Sequence, residues 1–257
     1  GQVRMEKTGF AIDLGRVTTE TTMLCKAEHA GPARITVLQW PHSEFSLSVQ
    51  KFHRNAGLPD GGLIVLALFV LVTAIINREW MYVLFAAWLV ANLRLGALSA
   101  GWDFQWLERS IPPEWVAPMR QLTIAAYYTL TYALFWRLFG DDLRHPAHAR
   151  LLKVAQWTCV LIIGYAVVLP FKYFLPPMWL TAVIGVMVLM YLMIHMLVEK
   201  RSKVAMWYGA SLGIAVFANL YEVIAAALGY KGFIGAVNSV TAALSSSLMA
   251  AFAIAEQ

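Results

Sequence analysis

Residues 60–98 read DGGLIVLALFVLVTAIINREWMYVLFAAWLVANLRLGAL, and this stretch decides the fold class. Two apolar runs, 60–77 and 80–98, flank the charged step Asn77-Arg78-Glu79. Each run approaches the ~20 residues with which an α-helix crosses ~30 Å of hydrocarbon. Lipid offers no partner to free backbone groups, so runs of this kind are helices. Pro59 is well placed as the first helical residue of the first span.

The pattern repeats along the chain. Further apolar spans fall at roughly 119–139, 151–170, 178–198, 204–228 and 233–254, which makes seven. Composition agrees: 60% of the 257 residues are apolar and 14% are charged, against about 45–50% and about 25% in soluble domains. Thirteen of the 35 charged side chains lie in the first 60 residues, and the remainder sit mostly in short clusters between apolar runs. The expected fold is therefore membrane all-α, a seven-transmembrane helix bundle (57–257) preceded by a small β-rich extracytoplasmic segment (1–56). The net charge of +5 is explained by basic residues beside the spans, so nucleic acid is not an expected partner, whereas the lipid bilayer is.

The N-terminal piece has turn chemistry at His29-Ala30-Gly31-Pro32 between Thr18–Ala27 and Ala33–Trp40, two stretches rich in Thr, Val, Ile and Leu. A hairpin is expected there. Phe45, Leu47 and Val49 alternate with serines and Gln50, which suits a half-buried strand or, alternatively, a short connector helix capped by Ser43. The apolar face offered by Leu24, Ile35, Val37, Leu38 and Trp40 is small for an independent core. The chain opens GQVRMEKTGF and closes AFAIAEQ, which reads as a piece of a longer protein.

Orientation follows from Lys and Arg. With the N-terminus outside, the inner side holds Arg78, Arg137, Arg144, Arg150, Lys153, Lys200, Arg201 and Lys203, and the outer side Arg109, Arg120, Lys172 and Lys231. Eight against four places the N-terminus outside and the C-terminus inside. The outer link 99–118, with Trp102, Trp106, Trp115 and Ile111-Pro112-Pro113, is expected to lie at the interface as an aromatic belt. The inner cluster Arg144, His145, His148, Arg150 and Lys153 is a positive-inside signal, with anionic-lipid recognition as the alternative.

Two charges fall inside spans: Arg94 in the second and Glu222 in the sixth. Intramembrane charges are expensive and usually face the bundle interior. Both lie at similar depth in the outer leaflet, with Asn92, Asn219, Asn238 and Tyr127 near them, and Tyr128 beside Tyr127. Three readings stand: a ligand pocket open to the outside, an ion pair with amide hydrogen bonds that fixes helix packing, or Arg94 snorkelling to the headgroups. His195 is a lone histidine near the inner end of the fifth span, expected to pack or hydrogen-bond. Ser245-Ser246-Ser247 with nearby alanines makes the seventh span small-sided, so that helices can approach it closely. Gly209 and Gly213 read as packing glycines. Cys25 and Cys159 suggest neither a disulfide nor a metal site. The seventh span has no lysine for a retinal Schiff base, and thiol, P-loop and dinucleotide motifs do not appear. No catalytic residue, metal ligand or cofactor is assigned.

The segment FAIDLGRVTTETTMLCKAEHAGPARITVLQWPHSEF, leading into INREWMYVLFAAWLV and finally SSSLMAAFAIAEQ, resembles the bacterial seven-transmembrane receptors with diverse intracellular signalling modules. The resemblance implies a jelly-roll periplasmic ectodomain of which residues 1–56 are the last part. It also implies a seventh helix that runs on into a cytoplasmic output domain, such as a diguanylate cyclase (cyclic-di-GMP signalling) or histidine kinase. On this reading the chain is a non-catalytic sensor module that takes a small-molecule or carbohydrate ligand on the periplasmic side and works as a homodimer. A small-solute transporter or channel is the rival, and would predict internal repeats or Gly/Pro-broken spans at matching positions.

Overall fold

The computed structural model describes residues 3–6, 9–15, 20, 22, 24, 37–99, 105–106, 109–143, 145–200, 202–228 and 236–256, with the backbone alone at 105–106, 109–110, 219, 222–223, 225–228, 236–241 and a few scattered positions. Among the described residues seven helices carry the fold: α1 (His42–Asn77), α2 (Trp80–Ser99), α3 (Pro113–Phe139), α4 (Pro146–Val168), α5 (Phe171–Lys200), α6 (Lys203–Leu228) and α7 (Ala236–Ala255). Each packs on its neighbour in sequence, and α7 returns to touch α1 and α2, so the bundle closes on itself. Among the described residues two short antiparallel ladders accompany it. β1 (Val3–Glu6) pairs with β2 (Gly9–Ile12) in the register Val3↔Ile12, and β3 (Gln105–Trp106) pairs with β4 (Arg109–Ser110).

Helix ends follow local chemistry. Arg78 ends α1 in the left-handed conformation (φ 53°, ψ 33°), with its N–H on the Ala74 carbonyl. This is the stop that glycine usually supplies. Proline opens α3 and α4, following Pro112 and His145 in extended conformation, where the missing N–H has no intrahelical partner anyway. Leu169 precedes Pro170 and is driven to extended backbone (φ −91°, ψ 136°), which ends α4. Its freed carbonyl accepts from Gln121 Nε2 at 2.7 Å.

The main core joins all of α1–α7, α4 through Leu152 and Ala155, around Phe85, Leu89, Phe135, Phe139, Leu192 and Met193. A second, smaller cluster lies among α3, α4 and α5, with Ile162 and Phe174 fully buried. The outside is apolar instead of charged: Ile75, Ile76, Val167, Val168 and Met187 are all at least 66% exposed. An apolar girdle of that extent is a lipid-facing surface. Four segments, Asp60–Asn77, Trp80–Leu98, Pro146–Val168 and Phe171–Glu199, are long and apolar enough by themselves to span a membrane. In α6 and α7 the apolar segments found among the described residues are shorter. α3 holds Gln121, Thr123, Thr131 and Tyr132, whose polar atoms bond inside the bundle. It can therefore be less apolar than a lone span.

Several expectations are corrected. Residues 42–56 are helical and continuous with the first span, so the alternation at Phe45–Val49 is not a strand. Pro59 lies inside α1 instead of opening it, and Pro41, not Ser43, is the N-cap. α3, α4 and α5 all begin earlier than 119, 151 and 178, and α5 runs through Pro176 and Pro177. Gly209 packs on Met193 and Leu197, as a packing glycine should, but Gly213 faces open space. Most of the hairpin expected over 18–40, Trp102 and the side chain of Trp106 lie outside the described residues, while Trp115 is 57% exposed.

Candidate functional site

Of the four long apolar spans α2 is the most enclosed: 56% of Trp80–Leu98 is buried. On it Trp88 and Asn92 stand four residues apart and so on one face. Trp88 Nε1 donates to Thr131 Oγ1 of α3 at 2.9 Å. The Thr131 hydroxyl donates in turn to the Tyr127 carbonyl at 2.8 Å, and the Thr131 carbonyl accepts from Tyr208 OH of α6 at 3.1 Å. One turn further along α6, Ser211 meets Ser246 of α7 with 3.0 Å between the hydroxyl oxygens. Ser246 also donates to the Ser211 carbonyl at 3.1 Å. That assigns the hydroxyl–hydroxyl bond to the Ser211 proton. The next residue on α7, Ser247, accepts from Asn92 Nδ2 at 3.0 Å, and the Ala243 carbonyl lies 3.3 Å from the same nitrogen.

The bonds form a closed circuit, α2 to α3 to α6 to α7 and back to α2. Asn92, Ser211, Ser246 and Ser247 are all buried, with Ser247 fully so. Interhelical hydrogen bonds between such side chains contribute roughly 0.6 kcal/mol each in membrane bundles, and up to about 1.7. Their larger effect is discrete geometry, because a half-broken buried network leaves unpaired polar groups. Beside the ring, Phe85, Trp88 and Tyr127 stack in sequence at 5.9 and 6.1 Å between centroids.

Asn92 thus sits in the ring and Tyr127 stacks beside it, through its carbonyl and its aromatic face. Arg94 is 5% exposed, so its side chain is enclosed by protein. Glu222 and Asn219 lie on α6 and Asn238 on α7; their side chains, and hence the expected meeting of Arg94 with Glu222, lie outside the described residues. His195 bonds Glu199 one turn along α5 (Nε2–Oε2 3.2 Å) and packs on His148 of α4 at 4.2 Å. The small residues of α7 are legible in sequence, but their partners Thr131, Tyr208 and Ser211 are not singled out. A signal exists: Tyr127/Thr131, Tyr208/Ser211 and Ala243/Ser247 repeat at i, i+3 or i, i+4 inside apolar spans.

The chain belongs to the 7TM diverse intracellular signalling family, whose sequence profile matches residues 56–257. No curated protein and no solved structure matches it. The family makes this chain the transmembrane sensor module of a signalling protein.

Proposed function

We propose that the module relays a periplasmic or membrane signal through α7 to a cytoplasmic output domain of diguanylate cyclase or histidine kinase type. The observation that carries this reading is the polar ring, in which two adjacent serines of α7 bond to two different helices, Ser246 to α6 and Ser247 to α2. A helix held by discrete bonds between packed neighbours has few permitted positions. A ligand that shifts α2 or α6 therefore moves α7 by a step instead of a drift. The outer polar residues Arg94, Glu222, Asn219 and Asn238 supply the groups to which a small-molecule or carbohydrate ligand would bind. The bacterial inner membrane, a periplasmic N-terminus and a homodimer complete the proposal.

Single cysteines at successive positions from 251 to 256, in the full-length receptor in native membranes, test the relay. Crosslinking should show helical periodicity between two copies. Ser246→Ala with Ser247→Ala should shift the reactive positions and change the output activity together. An unchanged crosslinking pattern and unchanged output in that variant would remove α7 as the relay; absence of crosslinking at every position would remove the dimer.

A further inference from the structure

At the end of the bundle where α3 stops and α4 starts, a cleft of about 420 Å3 opens between the two helices. Trp136 and Arg137 of α3 line one wall, Leu152, Lys153 and Gln156 of α4 line the other, and Asp141 of the link between them lines it too. Arg137 and Lys153 are both exposed, and among the described residues neither is in an ion pair with a carboxylate. Two cations therefore line one cleft against the single carboxylate of Asp141, which leaves it net positive. Of the rest of the expected basic cluster, His148 turns to His195, Arg150 does not line the cleft, and Arg144 lies outside the described residues.

What lies beyond the cleft identifies the occupant. Lys153 is seven residues, or ~10 Å, along α4 from Pro146, from where its long side chain can snorkel to the headgroup layer. From Gln156 toward mid-membrane the exposed residues of α4 are apolar at helical spacing: Val160 at 50%, Ile163 at 43% and Val167 at 72%. A cationic cleft that continues into an apolar ridge suits a molecule with an anionic head and a hydrocarbon tail. Trp136, 49% exposed, has the amphipathic ring favoured at that level.

We propose that this cleft binds the phosphate of an anionic phospholipid, with its acyl chain along the Val160–Val167 ridge. The assignment of the inner leaflet rests on the orientation proposed above; the headgroup chemistry does not.

Delipidated chain in mild detergent, titrated with lipid and read by native mass spectrometry, tests it. The unmodified chain should retain one phosphatidylglycerol in clear preference to phosphatidylcholine. Arg137→Gln with Lys153→Gln should weaken that retention on the order of tenfold, as expected for two surface cations. Arg150→Gln should leave it unchanged, and Lys153→Arg should preserve it. Equal retention of the two lipids by the unmodified chain would overturn the proposal without recourse to any variant. So would displacement of the lipid by millimolar inorganic phosphate, which would mark a free-anion site instead.

Discussion

Gly185 sits on α5 where the helix passes the Tyr128 hydroxyl of α3 and the Thr158 hydroxyl of α4. Thr158 Oγ1 donates to the Ala155 carbonyl at 2.7 Å, so in its 3.0 Å contact with Tyr128 the tyrosine is the donor. A methyl at position 185 would overlap the Tyr128 oxygen and stand 2.6 Å from Thr158 Oγ1. Two effects of Gly185→Ala then compete. Alanine gains about 1 kcal/mol of helix propensity over glycine, whereas overpacking typically costs about 1–3 kcal/mol. Here it also breaks a hydrogen bond, so overpacking wins. Gly185→Ala should lower the melting temperature in detergent, and adding Tyr128→Phe, which removes the obstructing oxygen, should restore much of the loss. A Gly185→Ala chain that melts higher than the parent would refute the close approach.

At the scale of elements, α1 is the surprise, and the reason is physical. Alternation at Phe45, Leu47 and Val49 has the period of a strand, yet Phe45, Val49 and Phe52 are also spaced four and three apart. The structure follows the second period: those three are half-buried while Leu47 is 54% exposed. Short apolar patterns carry both readings, and continuity with the following span decides between them. At 36 residues and 1.5 Å per residue, α1 is ~54 Å long, and roughly 24 Å of it exceeds the hydrocarbon core. The join between the projecting half and the span is NAGLPDGG, residues 55–62, which combines three glycines with a proline that removes one intrahelical bond. Gly57 and Gly61 have open space where a Cβ would stand. Gly57→Ala with Gly61→Ala should therefore stabilise the helix, by about 1 kcal/mol at each site. If the join is a hinge for the signal, the same chain should show a reduced output response to stimulus. A stiffened chain with an undiminished response would make α1 a rigid post.

Across the whole molecule, what was legible was the count, order and approximate place of the helices, because apolar run length reports directly on membrane thickness. The ring was legible only in part. Asn92, Ser246 and Ser247 stand out as polar or small residues within spans, but which helix each would meet depends on how the bundle closes. Periodicity along one chain does not contain that information. Orientation is the sharpest remaining consequence of the fold. Because α1 extends to His42, Lys51 and Arg54 stand ~9–14 Å beyond the start of the span at Asp60, close enough to join the outer four cations. The eight-to-four asymmetry narrows to eight-to-six and keeps its sign. Ser43, in the exposed first turn of α1, and Lys153, at the opposite end of the bundle, are sentinels for the two faces. In a Cys25→Ser, Cys159→Ala background, Ser43→Cys should react with a membrane-impermeant maleimide in intact cells, and Lys153→Cys only in inverted vesicles. Cys159 is buried, so its replacement guards against labelling of opened chains and does not remove a surface thiol. The reverse result, with Lys153→Cys labelled in cells and Ser43→Cys protected, would invert the molecule: the basic end would face outward and α7 would no longer finish on the side where an intracellular output could receive it.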